Sequence, residues 1–245
     1  MNIKISAVLI IAFLLTACGS RDDGDRSRVS DEEGGTNEAL AEQGQHIFRN
    51  SDFGEYGVAC ADCHADYDET LSEETRIRPG HSILGAHRRA KTWNGAFAGE
   101  ELAPSAAGAA RCAHLYQGRG NSEADALTRE EADALMAFYA YVSTGKEPLL
   151  LEWNAVTWPG DTAFSRDAMK LLVEDIGARR ANPTRGEEMY KRACAPCHST
   201  GIAPAQRMLK RNIVRNVRAG TGAMPFFSRD KLSDQDIADI KAFLE

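Results

Sequence analysis

The sequence predicts an all-α protein made of two similar helical units joined by a partly helical linker. Three observations carry this prediction. The pattern C-x-x-C-H occurs twice, as "CADCH" at residues 60–64 and as "CAPCH" at residues 194–198. Each copy follows an amphipathic stretch and precedes a segment with apolar residues at helical spacing. The alternation of apolar and polar residues that is typical of a β-strand is scarce along the chain.

The first unit is predicted over residues 41–148, and its last helix carries the clearest local signals. Thr128 and Glu131 match a capping box, in which each side chain binds the backbone N–H of the other residue. Apolar residues then recur at i, i+3, i+4 and i+7, which predicts one buried helical face. That face consists of Ala132, Leu135, Met136 and Tyr139.

The second unit is predicted over residues 183–245 and follows the same plan. Thr184 and Glu187 match another capping box, which predicts the start of the helix that leads into the second C-x-x-C-H. Ser233 is the predicted N-cap of the last helix. Helical spacing predicts that the buried face of this helix contains Ile237, Ile240 and Leu244.

Residues 149–182 connect the two units and are predicted to contain one helix. Asp161 is its predicted N-cap. Four apolar residues follow at helical spacing, so we expect the linker to pack against the units rather than hang free. They are Phe164, Ala168, Leu171 and Leu172.

The N-terminal segment predicts export. Lys4 precedes an apolar run that is too short to span a bilayer, which is typical of a secretory signal, here residues 1–17. The run ends in Leu-Thr-Ala-Cys, which resembles the lipobox of bacterial lipoproteins and implies acylation of Cys18 and a membrane anchor. Gly19 and Ser20 follow, and by the same resemblance they imply sorting to the outer membrane, facing the periplasm or the cell surface.

Composition divides the rest of the chain into a tether and two oppositely charged parts. Residues 18–40 are polar, acidic and rich in Gly and Ser, and are predicted to form a disordered tether. Residues 41–177 carry 22 acidic and 12 basic side chains, whereas residues 178–245 carry 7 and 13, within a net charge of −7 over 245 residues. This division indicates different docking surfaces on the two units and does not favour nucleic-acid binding.

The repeated C-x-x-C-H has a specific chemical meaning in an exported protein. Its two thiols can add to the two vinyl groups of haem, and the adjacent histidine can then reach the iron. A zinc site shared between the pairs would leave both histidines unexplained, and a thioredoxin-like motif would need a βαβ context. The sequence therefore predicts two covalently bound c-type haems. The thioether residues are Cys60, Cys63, Cys194 and Cys197, and the proximal iron ligands are His64 and His198.

With these motifs in place, the chain resembles a dihaem c-type cytochrome built from two class I cytochrome c units. In the second unit "CAPCHSTG" is followed by "GAMPFF" shortly before the last helix. In small cytochromes c the distal ligand is a methionine in such an M-P context. The resemblance implies that Met224, followed by Pro225, is the sixth ligand of the second haem, and thioether ligation raises the reduction potential.

The first unit has no equivalent M-P loop, and the sixth ligand of its haem stays open between three residues and the absence of any fixed ligand. Met136 lies inside a helix on the apolar face and is interpreted as core. "RPGHSILGAHRR" at residues 78–89 resembles the Gly/Pro loop beside the proximal histidine in class I cytochromes, which argues against His81. Cys112 and His114 lie two residues apart, so on a helix they point to different faces and only one of them can reach the iron.

Cys112 is the leading candidate because of a second resemblance, to the first haem domain of thiosulfate dehydrogenases and of the haem subunit of sulfur-oxidising Sox complexes. In those domains a cysteine near the start of the helical return supplies a thiolate to the iron. "DALMAFYAYVSTGKEP" also resembles the end of that domain, and the resemblance covers residues 56–148. It departs at Ala109 and Ala110, where those enzymes have Ile-Asn, and at Leu115, where they have Arg.

Together these features predict a membrane-tethered, extracytoplasmic cytochrome that carries electrons between redox protein partners, with no catalytic residue of its own. The alternative is thiosulfate dehydrogenase-like oxidation of an inorganic sulfur compound at the first haem. Four basic residues could hold the anion, and they fit haem propionates or surface charge equally well. They are Arg88, Arg89, Lys91 and Arg111.

Overall fold

The computed structural model of the protein describes five stretches of the chain: residues 27–89, 104–146, 165–198, 207–220 and 224–245. All regular structure within these stretches is helical, which confirms the all-α prediction. The helices described are α1 (Ser27–Arg49), α2 (Cys60–Cys63), α3 (Pro104–Gln117), α4 (Arg129–Val142), α5 (Arg166–Ala178), α6 (Pro183–Ala193), α7 (Ala195–His198), α8 (Arg207–Ala219) and α9 (Asp234–Leu244). Four short 3-10 turns are Ser51–Phe53, Glu69–Leu71, Ala86–Arg88 and Glu123–Asp125.

The core of the first unit is built where α1 crosses α4. The helices meet at Gly44, where a Cβ atom would collide with the backbone carbonyl of Ala134. Beside this crossing Phe48 packs on Phe138, with ring centroids 5.3 Å apart, and both side chains are fully buried. The close approach needs a glycine because any side chain would hold the two backbones apart.

The second unit repeats this arrangement with α6 and α9. Gly186 is at the crossing, where a Cβ atom would collide with the carbonyl of Asp239. Tyr190 packs on Phe243 with ring centroids 5.5 Å apart. The repeat seen in the C-x-x-C-H motifs therefore extends to the pair of crossed helices in each unit.

Two of the predicted helix starts are confirmed. The Thr128 hydroxyl accepts a hydrogen bond from the Glu131 N–H at 3.2 Å, and the Glu131 carboxylate accepts one from the Thr128 N–H at 2.9 Å. Ser233 caps α9 in the same way, paired with Asp236. The buried faces are confirmed as well: Ala132, Leu135, Tyr139, Ile237, Ile240 and Leu244 are buried, and Met136 packs against the first core.

Two other local predictions are wrong. The N-cap of α6 is Asn182 rather than Thr184, because the Asn182 carboxamide accepts from two backbone N–H groups and Pro183 occupies the first helical position. In the linker, Ser165 caps α5, while Asp161 and Phe164 lie outside the described residues.

The predicted apolar face of α5 also needs correction. Leu171 is 66% exposed, whereas Ile176 is fully buried and Leu172 packs against the second core. The helix begins later than predicted, and its buried face is set by contact with the second unit. Periodicity alone did not resolve which of the adjacent leucines would turn inward.

The N-terminal helix begins inside the segment predicted to be a tether. Helix α1 starts at Ser27, so residues 27–40 are helical; Leu40 packs against the first core, and Ala41 is buried. The signal segment and Cys18 lie outside the described residues. Within the described stretches no helix is both long and apolar enough to cross a membrane.

The two units are packed together through a few specific contacts. The Ile77 N–H donates to the carbonyl of Arg192 at 2.9 Å, and the Arg192 guanidinium donates back to the carbonyl of Thr75. Lys231 forms an ion pair with Glu69, and both side chains are half-buried. The Ile77 side chain also packs against the second core. A loop of the first unit, which follows its C-x-x-C-H motif, is therefore attached to the second unit.

Candidate functional site

A cavity in the first unit has α3 as one of its walls. Ser105, Gly108, Ala109, Cys112 and Tyr116 line it, and their spacing of three and four residues places them on one helical face. Three of the five are small, which leaves space beside the helix for a flat group. About 1190 Å³ lies between the walls, part of it open to solvent.

The first C-x-x-C-H motif forms another part of the wall, with Cys60, Cys63 and His64 all lining the cavity. The Nδ1 atom of His64 is 2.7 Å from the carbonyl oxygen of His81. A carbonyl can only accept, so Nδ1 carries the proton and the Nε2 lone pair is available to a metal ion. Burial lowers the pKa of His64 to about 4, so the ring is neutral at neutral pH.

Gly80 holds the His64 ring in place. A Cβ atom at residue 80 would collide with Cε1 and Nδ1 of His64, so the ring lies directly on the glycine backbone. The Gly80 N–H also donates to the carbonyl of Cys63 at 2.8 Å. The loop predicted to lie beside the proximal histidine does so, and it supplies both a surface and a hydrogen-bond acceptor for the ring.

The thiols of the motif are held in their uncharged form. Burial raises the pKa of Cys60 to about 12, with a further increase from nearby Cys112, and burial likewise holds the pKa of Cys63 well above its usual value. A redox-active pair needs the thiolate, so these pKa values do not favour one. Among the described residues no cluster of His, Cys, Asp or Glu is arranged to hold a metal ion without a further group.

Three buried polar atoms that line the cavity have no hydrogen-bond partner. They belong to Arg89 (Nε), Gln117 (Oε1) and Ser228 (Oγ). The rest of the Arg89 guanidinium donates to the carbonyl of Ser82 at 2.8 Å, and burial lowers its pKa. No carboxylate among the described residues pairs with it, and a buried cation without an anion is costly. The cavity thus fits a flat apolar group that carries acidic substituents.

The three candidates for a sixth ligand occupy different places. Cys112 lines the cavity on the α3 face. His81 also lines it, but its carbonyl is bonded to the His64 ring and its own ring nitrogen is 4.0 Å from Asp230. His114, on another face of α3, directs Nδ1 to the carbonyl of Arg119 at 3.2 Å and is not among the lining residues.

In the second unit, α7 carries the attachment motif. The backbone N–H of His198 donates to the carbonyl of Cys194 at 2.9 Å, and burial raises the pKa of Cys194 to about 12. Met224 packs against the second core. Residues 199–206 and 221–223 lie outside the described stretches. The ligation of a second iron by His198 and Met224 stays a prediction.

Comparison with known proteins supplies the family. Residues 181–244 match the family model for cytochrome c oxidase, cbb3-type, subunit III. A cytochrome c6 of Cyanidium caldarium is 36% identical over 88 residues, an alignment that covers 30% of this chain and 79% of the relative. The chain is a c-type cytochrome. No solved structure matches this cytochrome.

A c-type cytochrome binds haem covalently and transfers electrons, and the first cavity fits that group. Cys60 and Cys63 would form the thioethers, His64 would offer Nε2 to the iron, and the unpaired Nε atom of Arg89 would suit a propionate. When bound, haem supplies a one-electron iron couple. The chain itself orients the ring of His64 and excludes water from the cavity with its apolar walls.

Several cavity residues of the cytochrome were missed by reasoning from the sequence, among them Gln117, Phe226 and Ser228. Gln117 ends α3, and its amide donates to the carbonyl of Val58 at 2.8 Å. Phe226 and Ser228 belong to the second unit. No local pattern marks Gln117, and the part of Phe226 and Ser228 in this cavity depends on how the two units dock.

Proposed function

We propose that the cytochrome is a membrane-tethered, extracytoplasmic dihaem carrier that moves electrons between redox protein partners. The repetition of the whole unit is the observation that carries this proposal. Both C-x-x-C-H motifs stand next to a crossed helix pair, with Gly44 in one and Gly186 in the other. A unit that repeats the fold together with the attachment motif is expected to repeat the cofactor.

The proposed ligand sets differ between the haems. The first would be held by Cys60, Cys63 and His64, with Cys112 as sixth ligand, and the second by Cys194, Cys197, His198 and Met224. A thiolate donates strongly and lowers the potential, whereas a thioether raises it. Electrons would therefore pass from the first unit to the second.

A haem count and a potentiometric titration test this arrangement. The pyridine haemochrome assay is expected to give two haems per chain and one in a Cys60→Ala, Cys63→Ala variant. The titration should show two separate couples, with the lower one lost in that variant. A count of one in the native protein would refute the dihaem proposal, and coincident or reversed potentials would refute the direction of transfer.

The sixth ligand of the first haem is tested by low-temperature EPR of the oxidised protein. Native protein is expected to show a thiolate-type low-spin signal that disappears in Cys112→Ala. His114→Ala and His81→Ala are matched controls, and both should keep the signal. If the Cys112→Ala spectrum equals that of the native protein, thiolate ligation is excluded.

The membrane tether is proposed from the lipobox alone. Acyl chains on Cys18 would hold the protein at the outer membrane, facing the periplasm or the cell surface. Native protein should incorporate labelled fatty acid, and Cys18→Ser should not. Equal labelling of the two, or no labelling of the native protein, would refute lipid anchoring.

A second function, oxidation of an inorganic sulfur compound such as thiosulfate, is favoured by the position of Cys112 in the cavity. The basic residues considered as an anion site do not favour this second function. Arg111 forms an ion pair with Glu123, so its charge is already balanced, and Arg88 is exposed on a short turn. Thiosulfate-dependent reduction of ferricyanide by the purified cytochrome separates an enzyme from a carrier.

A further inference from the structure

The cavity of the first unit is completed by a segment of the second. Pro225, Phe226 and Ser228 line it together with the first C-x-x-C-H motif and α3. This segment directly follows Met224, the predicted iron ligand of the second unit. One short stretch of chain thus takes part in both sites.

The segment is held rigidly by the second unit. The Phe227 N–H donates to the carbonyl of Val217 at 2.6 Å, and the Ser228 carbonyl accepts from the Leu232 N–H at 3.0 Å. Arg218, which is 2% exposed, donates to the carbonyls of Phe227 at 2.8 Å and Leu232 at 2.7 Å. The position of Ser228 is therefore fixed by the core of the second unit.

The docking of the units keeps this segment at the cavity. The ion pair of Lys231 with Glu69 lies three residues after Ser228, and Asp230 faces His81 at 4.0 Å. Both partners in the first unit belong to the stretch that follows its C-x-x-C-H motif. Contacts on that stretch position the second unit against the wall that carries His64.

The Ser228 hydroxyl is an unused donor inside the cavity. Ser228 is 5% exposed, and its Oγ atom is buried with no hydrogen-bond partner. The same is true of Nε in Arg89, which lines the same cavity. Buried donors that lack a partner destabilise a protein unless a ligand accepts from them. Two donors of this kind, one on each unit, indicate an acidic group between them.

We propose that the second unit completes the first haem site: Ser228 donates a hydrogen bond to a carboxylate of the group attached at Cys60 and Cys63, alongside Arg89, and Phe226 shields that group from water. This rests on the proposed function, since it requires haem in the first unit. The redox behaviour of the first haem then depends on the docked second unit.

The potential of the first haem tests the role of Ser228. Ser228→Ala removes the donor, so the carboxylate keeps more of its negative charge and stabilises the ferric iron. The expected result is a lower potential for the first haem. At a fixed solution potential its oxidised-to-reduced ratio should change at least threefold, which corresponds to a shift of about 28 mV in its reduction potential. Ser228→Thr retains the hydroxyl and should keep the native potential. Ser233→Ala, which removes the cap of α9 in the same unit, is the control for simple destabilisation and should leave the first potential unchanged.

A second pair of variants tests the apolar wall independently. Phe226→Ala admits water next to the first haem and should also lower its potential. Phe243→Ala removes the same ring from the second core, where it packs on Tyr190, and should not. Two haems with an unchanged first potential in both Ser228→Ala and Phe226→Ala would overturn this inference alone. A native count of one haem, with none at Cys60 and Cys63, would overturn the dihaem proposal and the inference with it.

Discussion

The contact between Gly80 and His64 sets the geometry of the first site at the level of single residues. The imidazole lies on a backbone that has no side chain, and its Nδ1–H is directed to the carbonyl of His81. A ring held on one side by van der Waals contact and at one atom by a hydrogen bond has little freedom to turn. Nε2 is therefore oriented before any metal ion binds.

Gly80→Ala is expected to disturb this geometry. The added methyl group must displace the His64 ring or the loop, which should destabilise the first unit by about 1–3 kcal/mol. In the proposed dihaem arrangement it should also alter the low-spin spectrum of the first haem and leave that of the second unchanged. Guanidinium unfolding and EPR measure the two effects. Gly177→Ala is the control: nothing lies within 4 Å of its Cβ position, and the free energy of unfolding should stay equal or rise.

Asp234 gives the second unit a defined response to acid. Burial raises the pKa of its carboxyl, but hydrogen bonds and charge from Arg218 and Arg229 outweigh burial and hold the pKa below the usual 3.8. The folded state therefore binds this proton less tightly than the unfolded state does. The resulting stabilisation is complete well above pH 3.8 and is lost as the pH falls through the lowered pKa.

Asp234→Asn should flatten this acid dependence and lower the stability of the second unit near pH 7, because the buried Arg218 loses its carboxylate partner. Urea unfolding at a series of pH values measures both effects. Asp133→Asn makes the same change of charge at an exposed pair with Arg129 and should leave the acid slope as it is. An acid slope in Asp234→Asn equal to that of the native protein would contradict this account.

At the scale of elements, each unit depends on one helix crossing at a glycine. Gly186→Ala should push α6 away from α9 and destabilise the second unit by about 1–3 kcal/mol. Differential scanning calorimetry should show a lower melting temperature for that unit, with the first haem spectrum unchanged. An unaltered melting temperature would show that moving α6 away from α9 costs no free energy, which would contradict this expectation. Gly177→Ala serves again as the control.

The elements also show what the sequence could predict. Thr128 and Ser233 were identified correctly because a capping box is complete within four residues and needs no distant partner. The prediction of Thr184 as the N-cap of α6 is wrong because Asn182 followed by Pro183 is a stronger helix-start signal two residues earlier. The prediction that Leu171 is buried is wrong. Helical spacing alone also allows an exposed position for this residue, while Ile176 of the same helix is buried. The helix starts are decided by local chemistry, whereas the buried face of α5 is decided by its contact with the second unit.

At the scale of the whole molecule, the ion pair of Lys231 with Glu69 links the two units. The attachment motif and the place of Cys112 in the cavity were predictable from spacing and resemblance. Phe226 and Ser228 were not, since only the docking of the units brings them to the first cavity. Docking depends on scattered contacts such as Ile77 with Arg192, which leave no periodic trace in the sequence.

Lys231→Met is expected to loosen the docking by about 1 kcal/mol, since the pair is only partly shielded from water. Glu69→Gln should have a similar effect, and the double variant should add little to either change. Small-angle scattering should show a larger radius of gyration, and the rate of electron transfer between the haems should fall. Lys241→Met, which breaks an exposed pair with Glu245, is the control. Additive effects in the double variant would show that the two side chains act separately.

The wall formed by Pro225, Phe226 and Ser228 also makes the first cavity depend on a distant part of the chain. These residues lie far beyond Cys60 and Cys63 in the sequence, yet they line the same cavity. A chain that ended before Pro225 would keep the first C-x-x-C-H motif and α3, but this wall of the cavity would be missing.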